Sequence, residues 1–433
     1  MNIKRTYLVI IIIVTVFSFL IRLFRITQPP GYYFDEVYHA VTAKAYADNR
    51  PEAYDPFAPA PKEGTAYDWL HPPLVKLIQA GSIKLFGDGP VGWRLPSVIF
   101  GTAIIPATFL LAYVLFGAQV ALFASLVIAF ENMTFVMSRI TMNDVFVTFW
   151  VICTFTLTAI YTKSKKIRDL FLISIFLGLA VSSKWTGIYA GVVICFFILF
   201  THLRGVFQST TRFHLGSVLL RLSMLIIVPF VIYLAAYGQF WLQGHTIGQF
   251  IDLHKQIWWY QNRADLEHTY GSTPLFCAPK GLNGPKSWCP WALDMRPVYF
   301  SYEQYGEKAG YIYSLGNPVV FWAGVLAVSY LLGKFIEERK KEYALILMGY
   351  FVFWVPWIFS PRILFMHHYL PSIPFLAISL GFALFRMYKI SKFSAILILV
   401  MIAAAFFFFY PITSGYPIDP EAIDKFMWLK TWR

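Results

Sequence analysis

The sequence has little charge for its length. Aspartate, glutamate, lysine and arginine make up 14% of its 433 residues, against roughly 25% in an ordinary soluble domain. Acidic side chains are the scarcer kind, 23 against 36 lysines and arginines, which leaves a net charge of +13. That excess is not gathered into an Arg- or Lys-rich tract with interleaved aromatics, so it does not mark a nucleic-acid binder. No internal repeat or low-complexity linker divides the chain, which is expected to act as a single unit over residues 1–433.

What the chain has in quantity is apolar sequence, 58% of all residues. Stretches near the ~20-residue length needed to span a bilayer fall at about 6–24, 95–115, 117–131, 144–162, 169–183, 186–203, 217–240, 316–336, 343–360, 371–386 and 393–410. The expected fold is therefore an α-helical polytopic membrane protein with about eleven transmembrane helices. The apolar core of the first stretch is followed by Arg22 and Arg25 and by no small-residue cleavage site, so it is expected to remain as a helix.

Short-loop charge sets the orientation. With the N-terminus in the cytoplasm, the basic connections Lys163/Lys165/Lys166/Arg168, Arg204/Arg212, Lys334/Arg339/Lys340/Lys341 and Arg386/Lys389/Lys392 all fall on that side. The short loops opposite offer only Arg139, Lys184 and Arg362, in keeping with the positive-inside rule. Two long loops, about 25–94 and 241–315, are then extracytoplasmic. After His71-Pro72-Pro73, Leu74, Leu77, Ile78 and Leu85 share one helical face with Lys76 and Lys84 off it, which reads as an interfacial helix.

The unusual polar residues gather on the extracytoplasmic face. In Gly31-Tyr-Tyr-Phe-Asp-Glu-Val-Tyr-His39, a helical reading puts Asp35 and His39 on one side and Glu36 about 100° round. A solvated acid pair capping a helix is the plainer alternative. Glu131, Arg139 and Asp144 lie between the third and fourth stretches, where ionisable groups are costly unless paired or facing a cavity. An Arg139–Asp144 ion pair would account for two of them. Lys184 ends the fifth stretch, where simple snorkelling is the alternative. Arg94 enters the second, and Arg362, His367 and His368 follow the ninth. Cations suit a phosphate, a membrane setting suits a lipid phosphate, and a carboxylate beside them suits a general base. The pattern reads as a lipid-phosphate-linked donor attacked by an acceptor hydroxyl.

The ordered motifs Phe34-Asp-Glu, His71-Pro-Pro-Leu-Val-Lys76, Ser138-Arg139 with Asp144, Ser183-Lys184-Trp185, Leu315-Gly-Asn-Pro-Val-Val-Phe-Trp322 and His367-His-Tyr-Leu-Pro371 resemble the protein O-mannosyltransferase family, glycosyltransferase family 39 of the GT-C class. Trp291-Ala-Leu-Asp-Met-Arg-Pro297 is similar to bacterial members. The later loop is too short for the β-trefoil-like MIR module of eukaryotic relatives. The resemblance implies transfer of mannose from a polyprenyl-phosphate donor to Ser/Thr hydroxyls of exported polypeptides at the cell membrane, with inversion. It implies Asp35 as base, Glu36 and His71 toward the acceptor, and Asp144 and Asn317 in support. Arg94, Arg139, Lys184, Arg362, His367 and His368 are the expected phosphate-binding set.

Transfer to a lipid or polysaccharide acceptor is the second reading. A transporter is the third, disfavoured because the polar residues hug one interface. No cofactor is expected. A divalent metal is the less favoured option, since Asp35, Glu36 and His39 are its only clustered ligands and fixed cations are abundant. Contact with export machinery is an open expectation. Cys277 and Cys289 share the outer loop, where a disulfide between them is expected; Cys153 and Cys195 lie in apolar stretches as packing residues. Trp258-Trp259-Tyr260 suits either substrate stacking or an interfacial belt.

Overall fold

The computed structural model describes residues 4–207, 215–263, 289–360 and 364–433. Helix α1 (Arg5–Leu23) leads into a loop carrying α2 (Glu36–Ala47) and α3 (Leu74–Phe86). Then follow α4 (Pro90–Phe116), α5 (Ala118–Ala129), the short α6 (Asn132–Met137), α7 (Asp144–Ser164), α8 (Ile167–Ser183), α9 (Gly187–Phe207) and α10 (Leu215–Ala236). The second long loop holds α11 (Gly238–Leu242), α12 (Ile247–Gln261) and the antiparallel hairpin β1 (Val298–Tyr305) and β2 (Lys308–Ser314). Helices α13 (Pro318–Glu338), α14 (Lys341–Val352), α15 (Ile373–Ile390) and α16 (Lys392–Ser414) complete the bundle.

Each of the eleven apolar stretches falls on a helix. Among the described residues, eight segments are long and apolar enough to cross a membrane, and Ala118–Ala129 and Gly187–Phe200 are shorter apolar helices. The stretch at 117–131 is short because Glu131 ends it. Its carboxylate accepts from the Met133 and Thr134 amides at 2.9 and 2.6 Å, which starts α6 instead of extending α5. Asn317 starts α13 in the same way, accepting from the Val319 and Val320 amides while its own amide donates to the Phe130 and Ile402 carbonyls.

Helix α15 is the centre of the bundle. Every residue from Ile373 to Phe382 is buried, as expected of a helix that is apolar all round and surrounded by others. Three glycines let its neighbours approach. A Cβ on Gly381 would lie 2.6 Å from the Ala124 amide nitrogen in α5. Gly324 of α13 receives Leu376, and Gly349 of α14 receives Phe375. Small residues at such crossings do in lipid what large apolar ones do in water, since packing replaces the hydrophobic drive. By contrast α1 buries only Ile11, Ser18 and Arg22 and exposes Ile12, Ile13 and Leu20. It lies at the edge.

Two expectations for the first loop are revised. Helix α3 turns Leu85 outward as expected, but Lys76 is not on a wet face. It is fully buried with Gln79 and Val75, so the side of the helix that carries it packs against the protein, while Lys84, Leu85 and Phe86 are exposed. Glu36 and Arg94 are also fully buried, and they bind each other. Arg94 Nε and Nη2 donate to the two Glu36 oxygens at 2.9 and 2.8 Å, and its remaining N–H groups go to the Ile26, Pro29 and Gly31 carbonyls. All five guanidinium donors are used. Glu36 also accepts from the Thr141 amide and hydroxyl at 3.1 Å, which ties the first loop to the α6–α7 connection. Neither residue has capacity left for an acceptor or a phosphate.

Arg139 is likewise structural. Its Nη1 donates to the Ile21, Arg22 and Phe24 carbonyls and its Nη2 to those of Arg25 and Ser414, gathering the end of α1 and the end of α16. It makes no pair with Asp144.

Gly381→Leu should separate α15 from α5 and cost about 1–3 kcal/mol, the usual range for overpacking, read as a lowered melting temperature in detergent. Arg94→Met, which leaves Glu36 as an uncompensated buried charge, should lower stability by about 3–5 kcal/mol, the cost of breaking a buried pair; the same melting experiment checks it.

Candidate active site

Helix α2 begins at Glu36, and Asp35 occupies its N-cap position without any capping hydrogen bond from its side chain. The plainer reading of the acid pair as a cap is therefore set aside. Phe34, just before, has a left-handed backbone (φ +48°), a conformation uncommon for a bulky residue, and its ring stacks on Phe300 of β1 at 4.1 Å. The His39 amide closes the first helical turn on the Asp35 carbonyl at 3.0 Å. Glu36 is directed into the Arg94 pocket, and Asp35 and His39 are left facing a cavity of about 390 Å³.

That cavity is lined by residues from several parts of the chain: Asp35 and His39, His71, Asp144, Lys184, His367 and His368 among the polar ones. Trp185, Trp258, Trp357 and Phe359 supply aromatic walls. Asp144 starts α7 and Lys184 follows α8, and their side chains pair at 2.8 Å. Asp144 thus pairs with Lys184, and the alternative Arg139–Asp144 pair does not form. His367 and His368 stand on a 3₁₀ segment, Met366–Ser372, that leads into α15, and their rings stack at 4.7 Å. Trp258 reaches the cavity from α12, which buries Leu253 and Ile257 and exposes Ile247 and Ile251.

The charges are shaped by burial. Burial raises the Asp35 carboxyl to about 6, reinforced by Asp68 and Asp144 and opposed by His39 and Lys184. Burial lowers the His71 imidazole to about 4, against the pull of Asp68, so it is neutral at neutral pH. Asp68, which burial alone would raise, is held well below the usual carboxylate range by His71, Lys76 and His39. A base at about 6 is ionised at neutral pH yet basic enough to take a proton in a transition state.

Of the residues singled out from sequence, the structure brings Asp35, His71, Asp144, Lys184, His367 and His368 to one cavity. It puts Glu36, Arg94, Arg139 and Asn317 into the scaffold. Arg362 and Cys277 lie outside the described residues, so the expected disulfide with Cys289 does too; Cys153 and Cys195 are unpaired. Asp68 and Lys76 were missed as partners. The signal was present in Asp68-Trp-Leu-His71-Pro-Pro-Leu-Val-Lys76, where an acid and a lysine flank the histidine at helix-entry spacing.

Comparison with known proteins agrees with this architecture. Residues 12–246 match the family described as dolichyl-phosphate-mannose-protein mannosyltransferase, and residues 246–432 match the C-terminal four-transmembrane region of protein-O-mannosyltransferase. The polyprenol-phosphate-mannose–protein mannosyltransferase of Corynebacterium glutamicum is 24% identical, covering 84% of this chain and 81% of its own length. The Mycobacterium tuberculosis enzyme of that name is 23% identical with the same coverage. In fold, the chain is similar to the Saccharomyces cerevisiae Pmt1-Pmt2 protein O-mannosyltransferase complex bound to the sugar donor, with a TM-score of 0.79 and 16% identity over 100% of this chain and 93% of that one. ArnT from Cupriavidus metallidurans bound to undecaprenyl phosphate gives a TM-score of 0.60 at 16% identity, over 93% of this chain and 64% of that one. With matches over both halves of a bundle whose acid, lysine and histidines meet in one cavity, this chain belongs to the dolichyl-phosphate-mannose–protein mannosyltransferase family.

Proposed function

We propose that the protein transfers mannose from a polyprenyl-phosphate donor to Ser/Thr hydroxyls of exported polypeptides, with Asp35 as general base. The observation that carries this is the divergence of the acid pair: Glu36 is consumed by Arg94, and Asp35 alone opens on the cavity. The acceptor oxygen attacks the anomeric carbon from the Asp35 side and loses its proton to that carboxylate. The bond to the phosphate oxygen breaks, and polyprenyl phosphate departs as an anion that needs charge stabilisation but no proton. One attack from the opposite face inverts the centre. This is why one carboxylate suffices where glycosidases flank the bond with two.

Lys184, His367 and His368, with Arg362 from the same connection, are the groups for the donor phosphate. His71, neutral, is suited to a hydroxyl and not to an anion. Ile188 and Phe359 at the cavity are exposed and apolar, which suits a lipid chain approaching from the bilayer. The reaction as written uses no metal ion. Asp144 starts α7 at the cavity, and the basic connection Lys163–Arg168 lies at the far end of that helix. By the positive-inside rule this supports an extracytoplasmic site and a cytoplasmic N-terminus in the cell membrane. An extended segment leaving the export machinery would meet the site from the aqueous side.

Asp35→Asn is nearly isosteric and should reduce transfer to a Ser/Thr peptide by about 10²–10⁴-fold, the usual contribution of a positioned base, with melting temperature retained; turnover near wild type would remove Asp35 from the mechanism. For the wild type, kcat/KM should fall as pH drops through about 6, where the carboxylate is protonated, and level off above it. A pH–rate profile with donor in liposomes checks this, and a profile flat from pH 5 to 8 would contradict it.

A further inference from the structure

Behind His39 and His71 in the cavity wall lie two residues that the transfer step leaves unused, Asp68 and Lys76. Asp68 is nearly fully buried and has three close partners: Lys76 Nζ at 2.7 Å, His39 Nδ1 at 2.9 Å and His71 Nδ1 at 2.9 Å. The Asp68 oxygen and ring nitrogens of both histidines all lie within 4.8 Å of one another, close enough for one ion to bind all three. Zinc, for example, would sit at about 2.0–2.2 Å from each.

Lys76 changes what that triad can hold. It is fully buried, rises from the inward face of α3, and its ammonium is already at contact distance from the carboxylate. A dication entering there would meet a fixed positive charge in a medium that screens it poorly. A lysine without a task would also be an expensive choice at this position, since desolvating the ammonium costs several kcal/mol that an apolar side chain would not incur.

We propose that the Lys76 ammonium is the resident cation of this cluster, standing where a divalent ion would otherwise join His39, Asp68 and His71. It pairs with Asp68, which accepts from His71 Nδ1 and lies 2.9 Å from His39 Nδ1. An imidazole that donates from Nδ1 keeps its Nε2 lone pair as an acceptor, as His71 does here. Both rings line the cavity, so the His71 lone pair is available to a hydroxyl of the sugar or the acceptor. Asp68 and Lys76 are in this sense positioning residues. The inference rests on the metal-free reading of transfer given above and explains how the site does without an ion.

The test reads metal binding apart from catalysis. Wild-type protein purified without chelator should contain no stoichiometric transition metal, and its turnover should be unchanged in excess EDTA. Lys76→Met removes the charge at similar length, and should bind one Co²⁺ per chain with visible d–d absorption that wild type lacks and that K76M/D68N loses. The metal-free K76M should turn over about 10–100-fold more slowly, as when a partner that orients a ligand is lost. A stoichiometric metal in the wild type, or activity that EDTA removes and Zn²⁺ or Co²⁺ restores, overturns the proposal. So does a folded K76M that binds no Co²⁺. If K76M does not fold, the wild-type measurements decide. Cobalt binding needs no substrate, so its outcome is independent of whether the acceptor is a polypeptide.

Discussion

The Glu36–Arg94 pair is the constraint on which the site depends. Both side chains are removed from solvent, and an arginine so placed is tolerable only if every donor is met. Here the donors go to one carboxylate and three loop carbonyls, which draws residues 26–31 and the start of α2 around the head of α4. The hold on Glu36 fixes the rotation of α2. Since helical neighbours diverge by about 100°, fixing one acid decides where the other points. In the proposed mechanism the base is aimed by its neighbour's ion pair.

Cations are divided by their chemistry. Arginines 94 and 139 serve as multi-donor struts, each binding several carbonyls at once, which suits a planar fork with five N–H groups. The lysines are used as point charges against single carboxylates, Lys184 on Asp144 and Lys76 on Asp68. Among the described residues, Arg94 and Arg139 are thus kept in the frame, while carboxylates, histidines and Lys184 line the cavity.

Much of this was legible in the sequence where the signal is local. The apolar stretches coincide with helices because a spanning segment must satisfy its own backbone. Asp35 and His39 share a face because they are four residues apart. What was not legible is partner choice. Arg94 and Glu36 are 58 residues apart, and Lys184 and Asp144 are 40 apart. At such separations a list of charges on one face cannot say which arginine meets a carbonyl and which lysine meets an acid. Such a list does not separate Arg94, Arg139 and Glu36 from groups that face substrate, and helical periodicity puts Lys76 off the apolar face of α3 without telling whether that side meets lipid, water or protein.

The aromatic walls of the cavity bear on fidelity. A general base poised beside an activated sugar does not distinguish a serine hydroxyl from water, and water is always the more abundant nucleophile. Trp185, Trp258, Trp357 and Phe359 line the cavity that Asp35 faces, with surfaces that hold water poorly. In the proposed reaction they protect a scarce lipid-linked sugar from being hydrolysed while the enzyme waits for an acceptor, so the ratio of transfer to waste is set by the wall as much as by the base.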